Sequence, residues 1–380
     1  MTRPQGYVWI DTEEVLVEAA ARLGRAAALA VDTEADSFYH YFHKCCLVQV
    51  SDGDTVYLID PLAVKRMPSL GEVLSSQRAV KILHAAEQDV LYLRRDFGFH
   101  LEPLFDTMIA AQLLGKTSIG LASLLLAYFG VKLDKGSQRD DWSRRPLTER
   151  QKTYAGEDVR HLIRLRDALR AELESRGRLP WAEEEFHLVA RRAWEPRAFD
   201  PELFWGIKGA RDLTPREAAV LRELYAMRDR KAVEADLSPF RIVSDEALHA
   251  LAKKKPTQPS DLAGIRGITP LVRRRLGDDM LASVRAGMAL PESDLPAPPR
   301  GRGRNNRKTT AFQSRLERLR EWRRVRAAEL ALDPGVLFPQ STLEALAAAG
   351  PSSLDCPGDI PGLRAWRLEL LRPDAPRLLS

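Results

Sequence analysis

Residues 26–60, AAALAVDTEADSFYHYFHKCCLVQVSDGDTVYLID, decide the fold. They contain the apolar runs AAALAVDTE (26–34), KCCLVQVSD (44–52) and TVYLID (55–60), each bounded by Asp, Gly or Pro. Short apolar runs closed by such residues read as buried strands, so a sheet begins here. After Pro61 the period changes: PSLGEVLSS (68–76) predicts a short helix, AVKILHA (79–85) another buried strand, and EQDVLYLRRDFG (87–98) a helix stopped by Gly98. Alternating strands and helices define the α/β class.

From Asp106 the spacing turns helical, in DTMIAAQLLG (106–115), GLASLLLAYFG (120–130) and LTERQKTYAGEDVRHLIRLRDALRAELESRG (147–177). Thr148 and Glu149 carry start signals and Gly177 a stop, which predicts one long helix bearing both Tyr154 and Asp158. The polar segment before it, VKLDKGSQRDDWSRRP (131–146), reads as a surface loop. Beyond about residue 190 no strand pattern returns, and 213–237, 244–254 and 269–288 all have helical spacing. Between 293 and 310 Pro, Gly, Arg and Asn replace apolar residues, which predicts a flexible basic linker. LYAMRDRKAVEADLSPFRIVSDEALHALA (224–252) aligns without a gap to LREWRRVRAAELALDPGVLFPQSTLEALA (319–347), pairing Arg228 with Arg323, Glu234 with Glu329, Leu248 with Leu343 and Leu251 with Leu346. These are mostly core-type residues, so the repeat predicts a shared fold.

At 380 residues the chain is long enough for several domains. Its 58 Lys and Arg against 53 Asp and Glu favour an anionic partner without naming one. No stretch reaches the roughly 18 apolar residues of a membrane span, and MTRPQGYVWIDTEEV lacks the basic-then-apolar pattern of a signal peptide. A cytoplasmic protein acting as a monomer is expected. Cys45, Cys46 and Cys356 form neither a disulfide framework nor a CxxC site and are expected to be buried thiols.

Asp32 and Glu34 lie two apart at the end of an apolar strand, so both carboxylates share one face. Like charges held together are relieved by a divalent cation, and hard oxygen ligands suit Mg2+ or Mn2+. Taken alone, two solvated acids at a loop explain a DxE pattern as well. Asp89 near a helix start and Asp158 on the later helix extend the acidic set, although the first also suits a helix dipole and the second an ion pair with Lys152 or Arg160. Tyr154, four residues before Asp158, points a phenol to the same side.

Together DTE (32–34), LHAAEQD (83–89) and YAGED (154–158) resemble the three motifs of the DEDD exonuclease superfamily in its tyrosine-bearing branch. Within that branch the sequence is most similar to the ribonuclease D family, on VQVSDGDTVYLIDPL (48–62), FDTMIAAQLLG (105–115) and VKLDKGSQRDDWSRRPLTERQKTYA (131–155). The region from 212 to 292 resembles the helicase-and-ribonuclease-D C-terminal (HRDC) domain, in EADLSPFRIVSDEALHALA (234–252) and DLAGIRGITP (261–270). The resemblance implies an α/β catalytic domain of the ribonuclease H-like DEDD exonuclease type over 1–195, a mixed sheet flanked by helices. Two small all-α HRDC-like bundles follow it, at 212–292 and, more divergently, 311–380.

It further implies a 3′→5′ exoribonuclease that hydrolyses phosphodiesters with two divalent metal ions, releasing nucleoside 5′-monophosphates. The implied partner is RNA with an unpaired 3′ end, such as a tRNA precursor. In that family's arrangement Asp32 bridges the ions, Glu34 and Asp158 complete one site, Asp89 supports the other through water, and Tyr154 orients the attacking water. Two alternatives stay open: a DNA exonuclease of Werner or proofreading type, and a non-catalytic RNA-binding scaffold. The scaffold has no physical need to crowd four acids around an anionic ligand.

Other residues carry weaker expectations. His84 is either a substrate contact or a packed histidine closing a strand, and Lys135, Arg139, Arg144 and Arg145 are either phosphate contacts or a solvated basic face. Asp106 reads first as an N-cap and Trp142 as a packing anchor. In the first helical module AKKK (252–255) and VRRR (272–275) are candidate phosphate contacts.

Overall fold

The computed structural model describes residues 6–134, 136–196, 198–299, 310–354 and 357–380. Its sheet is built from β1 (Val8–Ile10), β2 (Ala28–Ala35), β3 (Cys45–Ser51), β4 (Val56–Ile59), β5 (Val80–Leu83) and β6 (Leu104–Asp106), in the spatial order β1-β4-β3-β2-β5-β6. β3 runs antiparallel to β2 and β4, while β2 with β5, β5 with β6 and β1 with β4 are parallel. The mixed sheet expected from the sequence is therefore present. β3 and β4 are buried along their whole length, which is why they read as continuous apolar runs. β1 and β6 are three-residue strands, too short to leave a periodic signal.

Helices α1 (Glu13–Leu23), α2 (Pro68–Ser75), α3 (Glu87–Phe97), α4 (Thr107–Leu113), α5 (Leu121–Phe129), α6 (Glu149–Arg160), α7 (Leu162–Ser175) and α8 (Leu179–Ala190) flank this sheet. The single long helix predicted over 147–177 is two helices. At His161 the backbone amide turns to Val159 O, so the i to i−4 ladder is interrupted for one residue before α7 starts. Tyr154 and Asp158 still share α6, which lies against β2, β3 and β4. The described part of 131–146 forms turns without helix or strand, as expected, and Trp142 in it is buried. Cys45 and Cys46 are buried thiols, whereas Cys356 lies outside the described residues.

The first helical module comprises α9 (Pro215–Ala235), α10 (Pro239–Ile242), α11 (Asp245–Lys254) and α12 (Pro270–Ala289). The second comprises α13 (Thr310–Leu330), α14 (Pro334–Leu337), α15 (Gln340–Ala349), α16 (Ala365–Leu371) and α17 (Ala375–Leu379). The repeat is structural down to a hydrogen bond: Arg228 Nη1 donates to Val243 O at 3.1 Å, and Arg323 Nη1 to the aligned Phe338 O at 2.8 Å. Leu248, Leu251, Leu343 and Leu346 are all fully buried. The copies diverge at the last helix, where Pro373 separates α16 from α17 while α12 continues unbroken.

Contacts group the chain into two compact units, Met1–Ala35, Cys45–Trp194 and Asn306–Ser380 in one, and Asp36–Lys44 with Glu195–Asn305 in the other. In the first unit the second module is joined to α8. Trp181 stacks on Trp366 with ring centroids 4.8 Å apart, and Arg178 donates to Leu113 O at 2.8 Å and Leu330 O at 2.5 Å. In the second unit the segment between β2 and β3 is held by the first module. Tyr41 donates to Asp229 at 2.9 Å, Phe42 N to Asp236 at 2.9 Å, and Ser238 Oγ to Ser37 O at 2.6 Å.

Candidate active site

β2 is the strand where the sheet changes sense, with antiparallel β3 on one side and parallel β5 on the other. In open α/β sheets the space beyond a strand's carboxyl end at such a switch is where ligands bind. The apolar start of β2 is buried, and its last residues carry Asp32 and Glu34 into that space. α6 supplies the opposite wall. Its first turn is held by a capping box between Thr148 and Gln151, and two turns on Tyr154 makes a side-chain hydrogen bond to Asp158. Ligand oxygens of Asp32, Glu34 and Asp158 all lie within 4.8 Å of one another.

Asp89 stands in the first turn of α3 and does not join that triad; it accepts a hydrogen bond from Thr33 Oγ1 at 2.5 Å. Thr33 lies between Asp32 and Glu34 on β2 and lines the same cavity, and its hydroxyl ties the strand to α3. Asp106 is the N-cap of α4 as expected, accepting from Met108 N and Ile109 N, and it also accepts from Ala85 N at 3.1 Å and Ala86 N at 2.8 Å. It therefore fixes the turn that leads into α3 and Asp89.

The electrostatics of the cluster follow from burial. Desolvation pushes the carboxyls of Asp32 and Glu34 well above the usual range. Like charge adds to this, from Asp89, Asp158 and Glu34 on Asp32, and from Asp158, Asp89 and Asp140 on Glu34. Asp158 is pushed up to about 7 by burial, opposed by the Tyr154 hydrogen bond, and Asp89 to about 7 by burial, opposed by the Thr33 hydroxyl. Burial and then Asp158, Glu34 and Asp32 drive the Tyr154 phenol far above its ordinary value, so its proton stays on at any physiological pH. Burial thus favours the protonated form of these acids, a cost that a divalent ion would relieve, and an all-carboxylate donor set fits Mg2+ or Mn2+.

A cavity of about 400 Å3 opens onto the cluster, lined by Asp32, Glu34, Tyr154 and Asp158, and also by His84. Of the expected substrate contacts among the described residues, only His84 lines it. Arg145 is tied into the fold: its guanidinium donates to Asp60 at 2.6 and 2.8 Å and to the carbonyls of Cys46, Trp142 and Arg144. Arg144 pairs with Asp141, Arg139 is exposed, neither lines the cavity, and Lys135 lies outside the described residues. Trp142 packs against Tyr154 with centroids 6.1 Å apart, so the anchor of the loop also braces the phenol.

Sequence reasoning missed several neighbours. Thr33 was hidden because alternation alone sends it away from the acids, and Asp140 reads in RDD as one more loop charge. Gly120, Leu121 and Ala122 bring the uncapped start of α5 to the cavity. Gln49, directly across the ladder from Asp32, is fully buried with no hydrogen-bond partner for its side chain among the described residues.

Residues 7–174 match the family model for 3′-5′ exonucleases, and residues 217–284 and 312–371 match that for the HRDC domain. Ribonuclease D of Pseudomonas paraeruginosa is 33% identical over 372 residues, covering 95% of this chain and 94% of the relative. This chain belongs to the ribonuclease D family. A second member, ribonuclease D of Escherichia coli, is 36% identical over 294 residues, covering 77% of this chain and 78% of its own. The crystal structure of the E. coli protein, described as an exoribonuclease involved in structured RNA processing, matches with a TM-score of 0.71 at 30% identity over 98% of both chains. Family membership makes the chain a hydrolase, a 3′→5′ exoribonuclease that depends on divalent metal ions, and sets aside the DNA-exonuclease and scaffold alternatives. No helix among the described residues is long and apolar enough to cross a membrane.

Proposed function

We propose that the chain removes nucleotides one at a time from the 3′ end of structured RNA, tRNA precursors among them, using two divalent ions, Mg2+ or Mn2+. The observation that carries this reading is the triad of half-buried carboxylates whose oxygens lie within 4.8 Å of one another beside Tyr154, whose phenol is pushed far above its ordinary value. Asp32, Glu34 and Asp158 would hold one ion and Asp32 with Asp89 the other. Ions bound there supply Lewis-acid stabilisation of the attacking and departing oxygens.

The Tyr154 hydroxyl donates a hydrogen bond to Asp158, so its oxygen lone pairs are left to accept from a water in the cavity and aim it at phosphorus. A phenol this strongly protonated cannot serve as the base. In the reaction a bond forms from the water oxygen to phosphorus and the bond from phosphorus to the 3′ oxygen breaks. The proton that the attacking water releases balances the one that the departing 3′ oxygen takes up to become a new hydroxyl, and the terminal nucleotide leaves as its 5′-monophosphate.

Exposed Lys253, Lys254, Arg273 and Arg274 on the first helical module support an RNA-binding role for it. Lys255 is committed to Glu217 at 3.0 Å. The division into a catalytic domain over 1–195, modules at 212–292 and 311–380, and a linker at 293–310 is retained as the working description of the chain. Because every group of the cluster comes from one chain, it would work as a monomer, in the cytoplasm where RNA precursors are made.

The test is digestion of a labelled tRNA precursor with Mg2+ or Mn2+, with products read by mass. Nucleoside 5′-monophosphates that vanish with chelator, and an Asp32→Asn or Asp158→Asn variant that binds RNA but turns over at least about 1,000-fold more slowly, are expected. Internal fragments, or trimming indifferent to chelator, would sink the reading.

A further inference from the structure

His84 lines the cavity together with Asp32 and Glu34. Its Nδ1 is 2.9 Å from Thr107 Oγ1, and that hydroxyl gives its one proton to Leu83 O at 3.1 Å. With that proton on Leu83 O, Oγ1 is left to accept, and the network that satisfies both contacts puts the imidazole hydrogen on Nδ1. Thr107 is fully buried at the start of α4, so the arrangement is held by backbone on both sides. Burial also lowers the imidazole to about 4, which keeps the ring neutral. Nε2, on the opposite edge of the ring from Thr107, is then a bare lone pair with no hydrogen-bond partner among the described residues.

A lone pair on a residue that lines a cavity walled by acids cannot bind phosphate, which offers only acceptors. It calls for a hydrogen-bond donor. The 3′-terminal nucleotide of an RNA strand carries such donors whatever its base, at the ribose hydroxyls. The geometry points to His84 Nε2 as the acceptor for a hydroxyl of the terminal ribose, which makes His84 a residue that selects RNA ends. The inference rests on the exoribonuclease reading and adds to it which group of the sugar is recognised and by what atom.

The full chain with Mn2+ is assayed on three strands of one sequence, ending in a ribonucleotide, a 2′-deoxynucleotide or a 3′-deoxynucleotide. Removal of the first nucleotide is measured as kcat/KM. The wild type should prefer the ribonucleotide end over at least one deoxy end by about tenfold, the scale of one hydrogen bond in a dry site. The strand that loses most identifies the hydroxyl. His84→Phe keeps a ring of similar size without the acceptor and should erase that preference, whereas His84→Gln, whose amide oxygen can take the position of Nε2, should restore most of it.

A ring that only packs, or accepts from the attacking water, would slow all three strands by the same factor. Equal slowing, or a preference unchanged in His84→Phe, overturns the assignment while leaving the nuclease reading intact. A wild type inert on every strand overturns both. Should His84→Phe fail to fold, His84→Gln against His84→Ala makes the same comparison, with a preference in the first and none in the second expected, and equal preference in both overturning it.

Discussion

Asp89 and Asp158 illustrate how far a single carboxyl is set by what surrounds it. Each would titrate near 3.8 in an unfolded chain, and in the fold each sits at about 7 because burial outweighs the one hydroxyl that each accepts from. Between those values the folded chain holds more protons than the unfolded one, so the contribution of these groups to stability falls as pH rises from about 4 to about 7. In EDTA, the urea midpoint should therefore be lower at about pH 8 than at about pH 5, and Mg2+ should recover most of the difference. Asp158→Asn should flatten the profile. A midpoint that rises with pH in EDTA, alike in wild type and variant, would mean that the acids do not share a buried site. At this scale Asp32 and Glu34 were legible because a period of two is a property of the strand itself. The Thr33 to Asp89 hydrogen bond was not, because it joins residues 56 apart in the chain through a packing of strand on helix.

Between elements, the Asp106 carboxylate joins the start of α4 to the turn before α3. Its oxygens accept from Met108 N at 2.8 Å and Ile109 N at 3.2 Å on one side, and from Ala85 N and Ala86 N on the other. Ala85 has a positive φ of 60°, a conformation unfavourable for alanine that the two Asp106 contacts help to hold. Asp106→Ala removes an N-cap and strands buried amides, so a loss of about 2–4 kcal/mol in urea unfolding is expected. Turnover should drop with it, because Asp89 begins the helix that this turn orients. A loss under about 0.5 kcal/mol would mean that water replaces the carboxylate and the turn holds itself. The cap was readable from FDTMIAAQ. The break at His161 was not, since its neighbours are ordinary helix formers and only the local hydrogen bonding reveals it.

Across the whole molecule, the repeated helical modules differ in what they hold. The second is bound to the catalytic part of its own unit through aromatic stacking of Trp181 on Trp366, and through Glu185, which pairs with Arg367 at 2.8 Å. Glu184 adds an acceptor for Ala365 N at 2.8 Å. These contacts give it a buttressing role within that unit. Trp366→Ala removes a buried aromatic worth about 3–5 kcal/mol and should lower the melting temperature while exposing the α13–α17 segment to limited proteolysis. Unchanged melting and an unchanged cleavage pattern would mean that the docking is incidental. The tandem repeat itself was visible in the sequence, because cores of the same fold repeat the same apolar and capping positions.

By itself the sequence determined what depends on residues near one another in the chain. That covers the class of the sheet, the central strands β2 to β5, the pairing of Asp32 with Glu34 and of Tyr154 with Asp158, and the duplication of the helical module. Helical and strand periodicities carry such information locally, and the family motifs carry the rest. Only the tertiary structure decided which acids share one pocket, that Arg145 is committed to Asp60, that Thr107 leaves His84 with a bare acceptor, and that the second module packs on α8. Each of these depends on groups far apart in sequence meeting in a dry interior, where burial and like charge act together, and no local pattern encodes that meeting.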